Sequence, residues 1–191
     1  MRRIALILTC IFCIVSTYAI EPRLVQKFEF EARGGFTIPL GGYHGGNQYG
    51  SMTLGLELRY NTEELPWDCG VFLQLDGASR HYDIPERPDG YRLQTNRTLA
   101  YGITGDYNFR QGYRVNPFVG IGIGCGSYDQ VGNSLYQNVT PATTFVFMPR
   151  AGVELFHHLR LTAHCMIVRR GFHTAAIAIG VVIGGRPKKT D

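Results

Sequence analysis

Histidine is the residue type in this chain best suited to hold a metal ion, but its spacing argues against a metal site. His158 and His164 share one face of a predicted strand, yet six residues at ~3.3 Å each separate them by about 20 Å. Zinc requires its ligand atoms at about 2 Å. The adjacent His157 points away from His158 in a predicted tight turn. We therefore expect no bound metal and no cofactor.

Acyl transfer is the second chemistry to consider, because His173, Ser127 and Ser134 lie near one predicted rim of the fold. A nucleophile needs a base within hydrogen-bond reach and a third group that orients this base. Nothing in the sequence places these residues together. We therefore predict that the protein is not an enzyme and interpret these residues as polar loop residues.

Charged residues of both signs form the third pattern. They recur at alternate positions of predicted strands, on the same face as small and polar residues. Such residues can pair with one another across a narrow interior, where an unpaired buried charge would be costly. We predict an ion-pair network formed by Glu29, Glu31, Arg33, Glu57, Arg59, Arg150, Glu154 and Arg160.

The strands that would position these charges are predicted by a period of two in apolar residues. In the second strand Leu54, Leu56 and Leu58 occupy one face. Gly55 and Glu57 occupy the other. No segment shows a sustained helical period. The predicted strands are residues 24–36, 51–60, 68–76, 93–109, 115–126, 143–156, 159–169 and 172–184.

The links between these strands alternate in length. Residues 41–50, 77–92 and 127–142 form long links rich in Gly, Asn, Asp and Pro. The links between them are shorter, and only the last link, at residues 170–171, breaks the alternation. Short turns on one side and long loops on the other are typical of outer-membrane barrels. With both termini on the periplasmic side, all three long links would be external.

The first 19 residues have the pattern of a secretory signal peptide. A basic start, Met1-Arg2-Arg3, precedes an apolar run from Ile4 to Val15, and small residues follow at Thr17 and Ala19. The run is shorter than the ~20 residues that a membrane-spanning helix needs. We predict cleavage after Ala19, so that residues 1–19 are the signal peptide and residues 20–191 form a single barrel domain.

Composition excludes two further classes. The cysteines beyond the signal, Cys69, Cys125 and Cys165, are odd in number and widely spaced, so a disulfide scaffold is not indicated. The net charge of +4 is mild and its dense basic part is the tail at residues 186–189. We therefore expect no nucleic-acid partner.

Alternation alone does not say which strand face is in contact with water. In a soluble barrel the interior is apolar, whereas in a membrane barrel the apolar face contacts lipid. Paired charges and the run Gly120, Gly122 and Gly124 suit a crowded polar interior. Aromatic residues near strand ends suit interfacial girdles. The predicted fold class is therefore all-β, an eight-stranded antiparallel up-and-down transmembrane β-barrel, with its lumen filled by side chains.

Three segments of the chain resemble a known family. Residues 116–124, Asn-Pro-Phe-Val-Gly-Ile-Gly-Ile-Gly, are similar to the fifth strand of small bacterial outer-membrane β-barrel domains. Residues 149–155 and 158–163 resemble the next hairpin in the OmpA-like type common among Bacteroidetes. The resemblance implies insertion by the barrel assembly machinery and contact with outer-membrane lipid and lipopolysaccharide. The chain departs from it by ending in residues 184–191 rather than at a terminal aromatic.

Three function classes follow. The first is a non-enzymatic barrel that supports the envelope or presents loops 41–50, 77–92 and 127–142 to an extracellular partner. The second is a membrane-embedded lipid A acyl hydrolase or transferase, for which His173 and Ser127 would be needed. The third is a soluble ligand-binding barrel of lipocalin type.

Overall fold

A computed structural model describes residues 25–40, 47–62, 65–83, 91–132, 139–168 and 173–184. The predicted signal peptide, residues 1–19, lies outside this part of the chain. The described residues form eight strands and no helix that could cross a membrane. The strands are β1 (Phe28–Pro39), β2 (Asn47–Asn61), β3 (Trp67–Asp83), β4 (Tyr91–Asn108), β5 (Val115–Gly132), β6 (Val139–Leu155), β7 (Leu159–Val168) and β8 (Thr174–Gly184).

Each strand pairs antiparallel with its neighbours in sequence, and β1 also pairs with β8. This closes the sheet into a barrel, which leaves no strand edge along the closed wall. The predicted eight-stranded up-and-down barrel is confirmed.

The two ends of the barrel differ. At one end, the turn end, residues 62–66, 109–114 and 156–158 make short links. The last of these is a tight turn in which Phe156 and His157 have positive φ angles of 55° and 64°. His158 N donates a hydrogen bond to Leu155 O at 3.1 Å, which closes the turn. The opposite end, where β1–β2, β3–β4, β5–β6 and β7–β8 connect, is the loop end.

Several strands are longer at the loop end than predicted. Residues 77–83 of β3 pair with residues 91–97 of β4, and residues 130–132 of β5 pair with residues 94–96. The predicted bounds of the long loops, 41–50, 77–92 and 127–142, were therefore wrong. Their central parts, 41–46, 84–90 and 133–138, lie outside the described residues. Residues 77–83 and 127–132 show no sustained period of two in apolar residues, so sequence patterns do not detect this part of the backbone pairing.

The apolar face of the strands points outward. On β2 the outward side chains are Met52, Leu54, Leu56, Leu58 and Tyr60, all exposed. Ile177 on β8 has 70% of its surface exposed. On β2, the side chains at the alternate positions between these outward residues point into the barrel and are buried. The predicted orientation of the two faces is confirmed, and it is the reverse of that in a soluble barrel.

The cysteines also follow the alternation. Cys69 and Cys125 are exposed on the outward face, and Cys165 is half-buried on the same face of β7. All three are free thiols.

Candidate functional site

The charges that the sequence singles out all lie inside the barrel. Each of the eight has at most 6% of its surface exposed. β1 supplies Glu29, Glu31 and Arg33 at alternate positions, and β2 supplies Glu57 and Arg59 in the same way. The remaining three are Arg150 and Glu154 from β6 and Arg160 from β7.

The centre of the lumen is a contact between opposite walls. Arg150 of β6 donates to both oxygens of Glu57 of β2, at 2.5 Å and 2.6 Å. Arg33 Nη1 donates to Glu57 Oε2 at 2.7 Å. Charge-assisted bidentate pairs of this kind are short and directional, so these side chains connect the two walls across the interior.

A second carboxylate, which the sequence reasoning did not single out, completes the binding of Arg150. Asp106 of β4 accepts from Arg150 Nε at 2.7 Å and from Arg150 Nη2 at 2.9 Å. It also accepts a hydrogen bond from Arg160 Nη2. Asp106 has room because Gly120 lies opposite, where an added Cβ would come within 1.8 Å of Asp106 Oδ1. In the sequence, Asp106 lies on the polar face of the predicted fourth strand. That position could have indicated that its side chain points into the barrel.

The turn-end side of the network is held by two arginines. Arg59 donates to Glu29 at 2.8 Å and to Glu31 at 2.6 Å. Arg160 lies over the ring of Phe118, with its guanidinium carbon 3.5 Å from the ring centroid. A cation over an aromatic face is attracted by the ring quadrupole, so Phe118 is part of the network although it is apolar.

Towards the loop end the lumen contains a hydrogen-bonded cluster around the carboxylate of Asp76. The Asp76 carboxylate oxygens accept hydrogen bonds from Thr53 Oγ1 at 2.7 Å and from Thr174 Oγ1 at 2.9 Å. Gln74 Nε2 lies 2.9 Å from Asp76 Oδ1, and His164 Nε2 lies 3.1 Å from Asp76 Oδ2. The sequence reasoning considered His164 only as a metal ligand. The structure instead places it beside a buried carboxylate.

An apolar cluster occupies one side of the same lumen. This cluster was not predicted from the sequence. Its residues lie on the same strand faces as the charged residues, and the alternating pattern marks each of those faces as polar throughout. The buried members are Phe72, Ala100, Val146, Met148, Met166 and Val168. Gly122 leaves space for it, since an added Cβ would lie 2.9 Å from Met148 Cε. The described part of the lumen thus contains ion pairs in one part and packed apolar side chains in another.

The candidate enzyme residues are not brought together. Ser127 is exposed on the outward face of β5, and His173 precedes β8, three strands further round the barrel. His173 Nδ1 accepts a hydrogen bond from Val168 N at 3.3 Å. Ser134 lies outside the described residues. Within the described ranges, no group of three or more His, Cys, Asp or Glu side chains converges as a metal centre does.

The fold and the lumen together define a class: a closed eight-stranded barrel with an apolar outside and an ion-paired inside, the arrangement of a membrane barrel. The solved structure of Neisserial surface protein A is similar, with a TM-score of 0.57 and 12% identity over 83% of this chain and 97% of that one. This likeness confirms the predicted resemblance at the level of the fold. The Bacteroidetes type stays a prediction.

Two further solved structures are similar at lower TM-scores. Ail from Yersinia pestis has a TM-score of 0.48 and 13% identity, covering 82% of this chain and 99% of that one. The N-terminal β-barrel domain of OprF from Pseudomonas aeruginosa has a TM-score of 0.45 and 15% identity, covering 83% and 99%. No protein-family model and no curated protein sequence matches the chain.

Proposed function

We propose that this chain is a bacterial outer-membrane β-barrel protein with a closed lumen and a structural or loop-mediated role. In this proposal the signal peptide is removed after Ala19 and the barrel assembly machinery inserts residues 20–191. Both termini and the turn end then face the periplasm. The outward face contacts lipid and lipopolysaccharide, and the protein performs no catalysis.

The outward apolar band is the observation that carries this proposal. On β2 it runs without interruption from Met52 to Tyr60, which matches the ~9–11 residues that a tilted strand needs to cross the hydrocarbon. At the turn end, aromatic rings stack edge to face: Trp67 with Tyr107 at 5.0 Å and Phe28 with Tyr60 at 5.4 Å. Such rings are typical of the membrane–water interface. A lipocalin-type soluble barrel would have these side chains inside.

The contacts in the lumen support a barrel that is closed to diffusion. Eight strands enclose an interior that side chains alone can fill. Here Arg150 and Glu57 join opposite walls, and Phe72, Met148 and Met166 pack beside them. A solute moving along the axis would have to separate a buried ion pair, which is costly.

The long strands at the loop end support a role in binding an external partner. Residues 77–83 and 91–97 continue the β3–β4 pairing past the apolar band. Six to seven residues at ~3.3 Å each extend this hairpin by about 20 Å along the strand direction. β5 continues beside it to Gly132. A paired extension of this kind would carry the described strand ends beyond the apolar band, on the side where an external partner would bind.

Cell fractionation combined with a gel-shift assay tests the membrane assignment. We expect the protein in the outer-membrane fraction, soluble only with detergent, and migrating faster on a gel unheated than boiled, because a closed barrel stays compact in detergent. Recovery in the periplasmic fraction without detergent, with one mobility in both samples, would contradict the proposal. Analysis of lipid A acyl chains in cells with and without the protein tests the non-enzymatic role, since an altered pattern would overturn it.

A further inference from the structure

A small polar cavity lies at the turn end of the lumen, between the ion-pair network and the short links. Its volume is about 10 Å³, which is the space of one water-sized particle. Its walls include the carboxylates of Glu29, Asp68 and Glu154 and the amides of Asn61, Asn108 and Gln111. None of these residues except Glu29 and Glu154 belongs to the network predicted from sequence.

The amide hydrogens around this cavity are engaged within its walls. Asn108 Nδ2 donates to Asp68 Oδ2 at 2.7 Å, and Asn61 Nδ2 donates to Glu29 Oε1 at 2.7 Å. Gln111 Nε2 donates to the backbone oxygen of Thr62 at 3.2 Å. These hydrogen bonds use amide hydrogens of the cavity walls, so the remaining side-chain oxygen atoms need other partners.

Two of these oxygen atoms are buried without any hydrogen-bond partner. They are Asp68 Oδ1 and Gln111 Oε1, on side chains that are 4% and 3% exposed. No ion pair of Asp68 within 4.0 Å is found among the described residues. A buried carboxylate oxygen without a partner is costly. An occupant of the cavity must therefore offer hydrogens or positive charge to both atoms.

The charge balance of the lumen favours positive charge. The buried residues of the described chain include seven carboxylates, but only four guanidinium groups and the single imidazole of His164. Even with His164 protonated, negative charge is in excess. Glu154 is only loosely paired, since its oxygen lies 3.8 Å from both Arg59 and Arg160. Excess buried charge requires a counterion or a proton.

We propose that this cavity binds one hard cation, of the sodium or calcium type, with Asp68 Oδ1 and Gln111 Oε1 as ligands. Hard cations prefer carboxylate and amide oxygens over nitrogen or sulfur, and these are the atoms that the walls leave free. The cation joins β3 to the β4–β5 link and neutralises part of the excess charge near Glu154. The proposal rests on the fold and the lumen, and it is independent of what the loop end contacts.

Unfolding of the full barrel in neutral phosphatidylcholine vesicles tests this site. The protein is freed of calcium with a chelator and of sodium by exchange into N-methylglucamine chloride. It is then unfolded in urea with sodium chloride, calcium chloride or N-methylglucamine chloride at equal ionic strength. A cation at 100 times its Kd should raise the folding equilibrium constant about 100-fold. We expect a saturable increase with sodium or calcium and none with N-methylglucamine, which is too large for the cavity.

Three variants separate a cation site from a general salt effect. D68N keeps the shape but loses the charge and should abolish the response, whereas Q111E should lower the half-effective calcium concentration by about tenfold, because a carboxylate replaces an amide ligand. D76N, a control, removes a buried carboxylate about 26 Å along the same strand and should keep the response.

The same midpoint in all three salts would overturn the proposal, and the cavity would then hold water or a proton on Asp68. An undiminished response in D68N would overturn it as well. Should D68N fail to fold, Q111M removes the second ligand oxygen, and retention of the full response in that variant would be decisive against the site.

Discussion

Glu57 is the residue on which the lumen network converges. Its two oxygens accept from Arg150, and one of them also accepts from Arg33. Because the three side chains come from β1, β2 and β6, the carboxylate fixes the relative position of distant parts of the wall. Sequence reasoning could predict that Glu57 faces inward, since alternation decides that. It could not predict Asp106 as the second acceptor of Arg150. Which side chains meet across the lumen depends on how far each strand is shifted along its neighbour, and the sequence does not show that shift.

Substitution of Glu57 tests the energetic role of this contact. E57Q leaves Arg150 and Arg33 buried with one fewer charge partner, so we expect the free energy of unfolding to fall by about 3–5 kcal/mol. Urea titration in lipid vesicles measures this. The double variant E57M/R150M should be less destabilised than E57Q, because it removes a positive and a negative charge together, while Arg33 keeps Glu31 at 3.6 Å and Asp106 keeps Arg160. Equal or greater loss in the double variant would contradict a charge-pairing role.

Gly120 provides a second test at the residue scale. In G120A the new Cβ would lie 1.8 Å from Asp106 Oδ1 and 2.5 Å from Gly105 O, so Asp106 must leave Arg150. We expect a loss of about 1–3 kcal/mol, the usual cost of overpacking. Gly105 faces outward, and the nearest atom to an added Cβ there is Asp68 O at 3.8 Å. G105A is therefore the matched control, and a similar loss in both variants would remove the steric explanation.

At the scale of the strands, the sequence predicted the segments that present an apolar face to lipid and little of the pairing outside them. All eight strands were found because each must present apolar side chains on one face to hydrocarbon. The loop-end parts of β2, β3, β5 and β6 were missed, because the sequence there shows no sustained period of two in apolar residues. The apolar cluster around Phe72 and Met148 was missed for the opposite reason: it lies on the face that alternation marks as polar.

A charge scan along β2 tests the depth of the strand in the bilayer. Leu56 lies at the middle of the outward run and Met52 at its end. L56R should destabilise the folded barrel by about 2–4 kcal/mol and M52R by about 1 kcal/mol or less, because the cost of a lipid-facing arginine depends on depth. Urea unfolding in vesicles gives both values. Small, equal effects would indicate that β2 does not face hydrocarbon.

At the scale of the whole molecule, the closed wall brings two kinds of interior side chain together. β1 pairs with β8 from Glu29 and Gly184 to Pro39 and Thr174, so the wall is continuous. Inside it lie ion pairs and packed apolar side chains. The sequence contained both kinds of residue, but only the closed geometry shows that they lie at the same level of one cylinder.

Planar bilayer recordings test whether the lumen is closed. The wild-type barrel should give no steady conductance above a detergent blank, because ions would have to separate buried pairs. The triple variant R33A/E57A/R150A removes the central contacts without leaving a lone charge among them, and it should conduct if it still shows the gel shift of a folded barrel. Steady wild-type currents would contradict a closed lumen.

The outward cysteines have a consequence for the life of the protein in an oxidising compartment. Thiols react as thiolates, and a thiolate does not form readily in hydrocarbon. Cys69, Cys125 and Cys165 should therefore stay reduced once they are inserted. In intact membranes they should react only slowly with either a lipid-soluble or a charged maleimide, whereas unfolding in urea should make all three react fast. Under the proposed export the same three thiols would meet periplasmic oxidants before insertion, so delayed insertion should produce disulfide-linked, misassembled chains.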